Sequence, residues 1–154
     1  MLFRSEVAVI PRQYRIHAVL LLSALIIIFF PKFSQRPDKE KAQAAATAVE
    51  AFLQRVDSDK FAESWQISAS ILKEKVPEQL WADQLGKIRA ASGPLLERTE
   101  ESMTYSTSAK DSPEGEYIVV TFETSFERKK DAGEIVTVTL DTDGDWRVAG
   151  YFVR

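Results

Sequence analysis

The sequence predicts an α+β fold: an N-terminal membrane helix, then three helices packed on a curved antiparallel sheet of about four strands. Three observations carry this. Between Lys39 and Gly93 apolar residues recur at helical spacing, and after Pro94 the period switches to two. Ahead of both, Ala18 to Phe30 (AVLLLSALIIIFF) is apolar but for one serine and follows a stretch carrying Arg4, Arg12 and Arg15.

That run sets an address. As a helix, thirteen residues reach only about 20 Å, the length of a signal-peptide core, whereas a bilayer core is roughly 30 Å thick. Extending the helix over Tyr14 to Phe33 gives about 30 Å, with Arg15 and Lys32 placed to snorkel at its ends. A signal peptidase needs a pair of small residues soon after the apolar run. Pro31 to Pro37 offers none, and the first pair, Ala42 and Ala44, lies inside the next helix. With no cysteine in the chain, a lipidated, cysteine-anchored product is excluded. A retained anchor is therefore favoured over a cleaved signal or a buried helix.

Flanking charges leave the orientation close to a tie: Arg4, Arg12 and Arg15 face Lys32, Arg36, Lys39 and Lys41. The expected organisation is a cytoplasmic tail over residues 1–17, a transmembrane signal-anchor segment over 18–33, a linker over 34–38 and one domain over 39–154. That domain lies outside the cytoplasm, in the periplasm, with the opposite orientation left open.

From residue 33 onward the chain holds 16 basic and 22 acidic residues, a net charge of −6. So acidic a domain is a poor partner for nucleic acid. Without cysteines there are no disulfides, and without asparagine there is no N-glycosylation acceptor. About 116 residues must stabilise one core by packing alone.

Pro31 to Asp38 reads as a linker. Ala42, Ala45, Ala46, Val49, Phe52, Leu53 and Val56 define the first helix, small residues first and large ones last. Asp57-Ser58-Asp59 closes it and offers an N-cap for the next segment. The second helix spans about Lys60 to Lys75, with Phe61, Trp65, Ala69 and Leu72 on one face. A third begins at Pro77, carries Leu80, Trp81, Leu85 and Ile88 inward, and stops at Gly93-Pro94.

Four strands follow. Leu96 to Thr107 is long and polar; Asp111 to Gly115 turns. Tyr117 to Arg128 points Ile118, Val120, Phe122 and Phe126 one way, and Lys129 to Gly133 turns again. Glu134 to Asp141 puts Val136, Val138 and Leu140 inward. Asp143-Gly144 makes a hairpin to the last strand, Trp146 to Val153.

Several of these pieces together resemble a known family: Ala48 to Asp57 (AVEAFLQRVD), Phe61 to Trp65, Trp81 with Arg89, Gly115 to Phe126 (GEYIVVTFETSF), Glu134 to Thr137, and above all WRVAGYFVR at Trp146 to Arg154. The chain is similar over residues 40 to 154 to the bacterial domain of unknown function 4019. The resemblance implies a nuclear transport factor 2-like, cystatin-related fold, in a family usually found behind a signal peptide. That family has no established activity.

Chemistry is thin in the sequence. His17 is the only histidine and sits at the membrane edge, so no Ser-His or Cys-His pair forms in the domain, and zinc sites built on His and Cys fail likewise. Asp141, Asp143 and Asp145 suggest calcium, but the glycine and glutamate places of an EF-hand loop fall on Trp146 and Phe152. A hairpin turn is the simpler reading. No catalytic residue, metal or cofactor is assigned.

The resemblance implies a conical pocket between helices and sheet. Its candidate lining is Trp65, Trp81, Arg89 and Glu123, with Asp57 and Tyr105 as further polar candidates. Each also has a plain structural reading: core packing for the tryptophans, capping for Asp57, pairing for Arg89, solvent for Glu123. The expected function is a non-enzymatic module binding a small ligand or an envelope protein; the alternative is a small lyase or isomerase-like enzyme. The polar strand with Thr99, Ser102, Thr104, Ser106 and Thr107 is either half exposed or lines a hydrated groove. Sheet faces of this fold also serve dimers, so a homodimer is the other partner expectation, opposed by Glu100 and Glu101. The membrane itself is the first partner, through the N-terminal helix.

Overall fold

A computed structural model describes residues 35–108 and 112–154. The Ala18–Phe30 run, the tail before it and Asp111 of the expected turn lie outside the described residues. Among the described residues no helix is long and apolar enough to cross a membrane.

Helix α1 spans Lys39–Asp57. Asp38 caps it, its carboxylate accepting the Lys41 N–H at 2.9 Å. The helical spacing holds: Ala45, Val49, Phe52, Leu53 and Val56 are the buried face. Asp59 does not cap the next helix as expected. It turns the chain in the left-handed region at φ 58°, a conformation short Asp side chains tolerate.

The single helix expected over Lys60–Lys75 is divided into α2 (Phe61–Gln66) and α3 (Ser70–Lys75). The cause is long-range. The Ala69 N–H donates to the Val148 carbonyl in the sheet at 2.8 Å, so it is withdrawn from the helix. The next N–H, of Ser70, donates to Asp141 Oδ2 at 2.9 Å. Ser64 and Ser68 turn their hydroxyls back onto the carbonyls of Phe61 and Ser64, which weakens the interrupted turn further. Helix α4, Glu78–Ser92, starts after Pro77 and ends at Gly93, whose φ of 79° suits glycine.

Strands β1 (Leu95–Ser106), β2 (Tyr117–Phe126), β3 (Ala132–Leu140) and β4 (Trp146–Val153) form one antiparallel meander in chain order. The expected α+β layout with four strands is observed, with four helices rather than three among the described residues. Three register shifts interrupt the ladders: at Leu96 and at Glu101 in β1, and at Ala149 in β4, where Thr137 and Val138 stand opposite Gly150 and Val148. Such bulges bend a strand and reverse which parity faces inward.

The core lies between α1, α4 and the inner sheet face. Phe52, Val56, Ile118, Val136 and Val138 have no exposed surface. The Phe52 ring stands 5.5 Å from Tyr151 and 6.1 Å from Trp81, tilted against both. Helix α1 rests mainly on β3 and β4. The inner surface of β1 and β2 beside it is therefore only partly covered, and this offset creates the site.

Candidate functional site

A groove of about 510 Å³ runs between the second half of α1 and the inner faces of β1 and β2. Its apolar walls come from Val49 and Leu53 on the helix and Met103, Val120 and Phe122 on the sheet. Asp57 and Arg98 close one end, and Glu50 and Glu100 belong to its lining. The β1 bulge at Glu101 determines which strand residues arrive here. Before it Arg98 and Glu100 stand opposite Thr124 and Phe122; after it Met103 and Tyr105 stand opposite Val120 and Ile118. All four thus share the inner face, although strict alternation along the sequence separates them.

Behind the closed end lies a buried charge network. Glu134 has 0% exposure. Its Oε2 accepts from Arg98 Nε at 2.5 Å and Thr124 Oγ1 at 2.7 Å; its Oε1 accepts from Tyr151 Oη at 2.5 Å and Arg98 Nη2 at 3.1 Å. Arg98 then turns its remaining edge to Asp57, with Nη1 to Oδ2 at 2.7 Å and Nη2 to Oδ1 at 3.0 Å. This is the bidentate fork that makes arginine suited to carboxylates.

Asp57 is the last residue of α1, where the helix dipole disfavours a negative charge. Two cations offset this. Besides Arg98, Arg89 of α4 places Nη1 3.5 Å from Asp57 Oδ1. Arg89 is 8% exposed, its guanidinium lies over the Phe126 ring at 5.1 Å, and its Nη1 has no hydrogen-bond partner among the described residues. Two arginines and two carboxylates balance, so the network is neutral as a whole.

Burial disfavours the Arg98 charge, but hydrogen bonds to Asp57 and Glu134 outweigh it and hold its pKa above the ordinary arginine value. Burial, and then the Glu134 charge, push the Tyr151 hydroxyl well above the usual tyrosine range. Tyr151 is thus a fixed donor at neutral pH.

The residues expected to line a pocket do not line this groove. Trp81 is buried, donating Nε1–H to Ser64 Oγ at 3.0 Å, and Trp65 is half-buried, donating to the Val76 carbonyl at 2.8 Å. Both brace the helices. Glu123 is exposed, on the outer sheet face opposite Thr99 and Gly133, because it alternates with inward Phe122 and Thr124. Arg89 stands behind Asp57 rather than in the groove. Of the further candidates, Asp57 does reach it. Tyr105 instead ties the start of α1 to the sheet: it donates to Glu116 Oε2 at 2.9 Å and accepts from Lys41 Nζ at 3.3 Å.

Arg98, Glu134, Thr124 and Tyr151 were not singled out by their sequence. A signal for Glu134 existed, since it shares its parity with inward Val136, Val138 and Leu140. An ionisable residue at an inward position calls for a partner. Arg98 carried no such signal, because its facing depends on the bulge.

At the β3–β4 hairpin the three aspartates surround one cation. Arg147 bonds Asp143 through Nη1 at 2.6 Å and Nη2 at 2.7 Å, and meets Asp141 at 3.4 Å and Asp145 at 3.1 Å. Among the described residues no group of three His, Cys, Asp or Glu side chains is placed to hold a metal ion.

Fold and site together define a small α+β domain with a meander sheet, a half-covered inner face and a groove of small-molecule size. The chain belongs to the family described as Protein of unknown function (DUF4019), whose model matches residues 48–151. Neither a curated protein nor a solved structure matches it.

Proposed function

We propose that the protein is a non-enzymatic binding module that takes a small ligand in the groove between α1 and strands β1 and β2. One observation carries the reading: about 510 Å³ of mostly apolar space ends at a charge network in which Asp57 is held by Arg98 through two hydrogen bonds. That volume falls within the roughly 300–1,000 Å³ of small-molecule sites, and the mixture of apolar walls with few polar groups matches them. It is small for a protein surface, which weighs against the protein-binding alternative.

A lyase or isomerase needs an acid or base free to move a proton near neutral pH. Glu134 is sealed from the groove and already accepts four hydrogen bonds. Both oxygens of Asp57 accept from Arg98. Neither is poised for proton transfer, and this favours binding over catalysis.

The same reading places the domain at a membrane, held by residues 18–33 and facing the periplasm, with a nuclear transport factor 2-like fold. Its supports are the apolar run, the lack of a small-residue pair after it and the family resemblance. The test of the groove is occlusion. In the full chain in lipid nanodiscs, Ala46→Trp on the α1 wall abolishes binding of an apolar probe such as phenylbutanol while circular dichroism stays native. Undiminished binding contradicts the groove as the site.

A further inference from the structure

We infer that the groove selects apolar molecules carrying a protonated amine, a conclusion that rests on the groove being the binding site. Its charge is the reason. Among the lining residues are three carboxylates, Glu50, Asp57 and Glu100, and one cation, Arg98. Arg98 has little left for an incoming anion. Glu134 and Asp57 engage four of its five N–H donors, leaving one on Nη1, and its charge is offset by the buried Glu134 carboxylate behind it. Arg89 in turn faces Asp57 from the core side.

With those four groups balanced, the charges left unbalanced among the lining residues are Glu50 and Glu100. Both are exposed, and among the described residues neither has a cation within 4.0 Å. One stands on the α1 side and the other on the β1 side of a groove whose apolar floor on the sheet includes Val120 and Phe122. An apolar body on that floor brings an attached ammonium between two unpaired carboxylates. The low-dielectric floor strengthens that attraction relative to bulk water. An anionic ligand of the same shape meets repulsion from both sides, against which Arg98 offers a single remaining N–H on Nη1.

The test uses three probes of one shape and different charge: phenylbutylamine, phenylbutanol and phenylbutanoate, titrated into the full chain in zwitterionic lipid nanodiscs at neutral pH. The expected order is amine, alcohol, carboxylate, with the amine roughly tenfold tighter than the alcohol, as two partly screened ion pairs can supply. Glu50→Gln with Glu100→Gln removes the amine's advantage and leaves alcohol binding unchanged; high salt does the same in the unaltered chain. Both positions are exposed, so the variant keeps its fold. Equal affinity for all three probes, or preference for the carboxylate, overturns the charge selection while the groove stands as a site. Failure of every probe to bind overturns the groove itself.

Discussion

Glu134 has no exposed surface, yet Arg98 reaches it from two strands away, with Nε 2.5 Å from Oε2 and Nη2 3.1 Å from Oε1. The pair spans β2 from the edge strand β1 to β3. Removing both charges from water is expensive, and their attraction offsets the cost only while geometry and supporting hydrogen bonds are good. Thr124 and Tyr151 supply that support. A one-residue slip of β1 on β2 sends Arg98 to the outer face and strands Glu134 in the core. The pair thus specifies register, and it fixes the closed end of the groove.

Glu134→Ala is therefore expected to destabilise the domain by about 3–5 kcal/mol, since it leaves Arg98 half paired in a buried site. Arg98→Met loses a similar amount by stranding Glu134. Because the residues act as one unit, the double substitution costs clearly less than the two singles added. Urea denaturation of the four proteins measures this, and strict additivity contradicts the coupling.

Tyr151→Phe removes one donor from a buried carboxylate at the loss of one oxygen, for about 1–3 kcal/mol. Its pH dependence is a sharper mark. The folded-state pKa of Tyr151 is raised, so its contribution is fully present below the unfolded value near 10 and is lost as pH rises above it. The unaltered protein should lose stability in that alkaline range more steeply than Tyr151→Phe. Parallel denaturation curves there speak against a protonated Tyr151 on Glu134.

At the hairpin, the Arg147 guanidinium and then the Asp145 N–H lower the Asp143 carboxyl from 3.8 to about 2. A lowered folded pKa means stability that is present above pH 3.8 and lost as pH falls toward about 2. In Arg147→Gln the Asp143 pKa returns toward 3.8, and that acid-dependent contribution shrinks. Carboxyl carbon shifts followed by NMR report it directly; an unmoved Asp143 titration disproves the role of Arg147. Since Asp143 is on the surface, the effect is small and weakens with salt.

Local pattern made most of the fold legible. The spacing of Val49, Phe52, Leu53 and Val56 placed α1, and Asp143-Gly144 placed the last hairpin, with Gly144 at φ 87°. What escaped was non-local. The break between α2 and α3 follows from the Ala69 N–H bonding to Val148, 79 residues on, and no helical periodicity encodes that. Arg98 looked like one charge in a polar strand, because the bulge before Ser102 reverses parity without any glycine or proline to announce it. Asp57 reads in sequence as a cap at the helix end, whereas in three dimensions it lies between two arginines contributed by α4 and β1.

The most direct measurement of the groove uses its methionine. Met103 lines the groove, and the only other methionine is Met1. Full-length protein labelled at the methionine methyl carbon is titrated with phenylbutylamine and followed by NMR. A saturable shift of the Met103 signal, abolished by Ala46→Trp and weakened by Glu50→Gln with Glu100→Gln, is the predicted result. Binding seen by calorimetry with the Met103 signal unmoved contradicts the groove as the place where this protein holds its ligand.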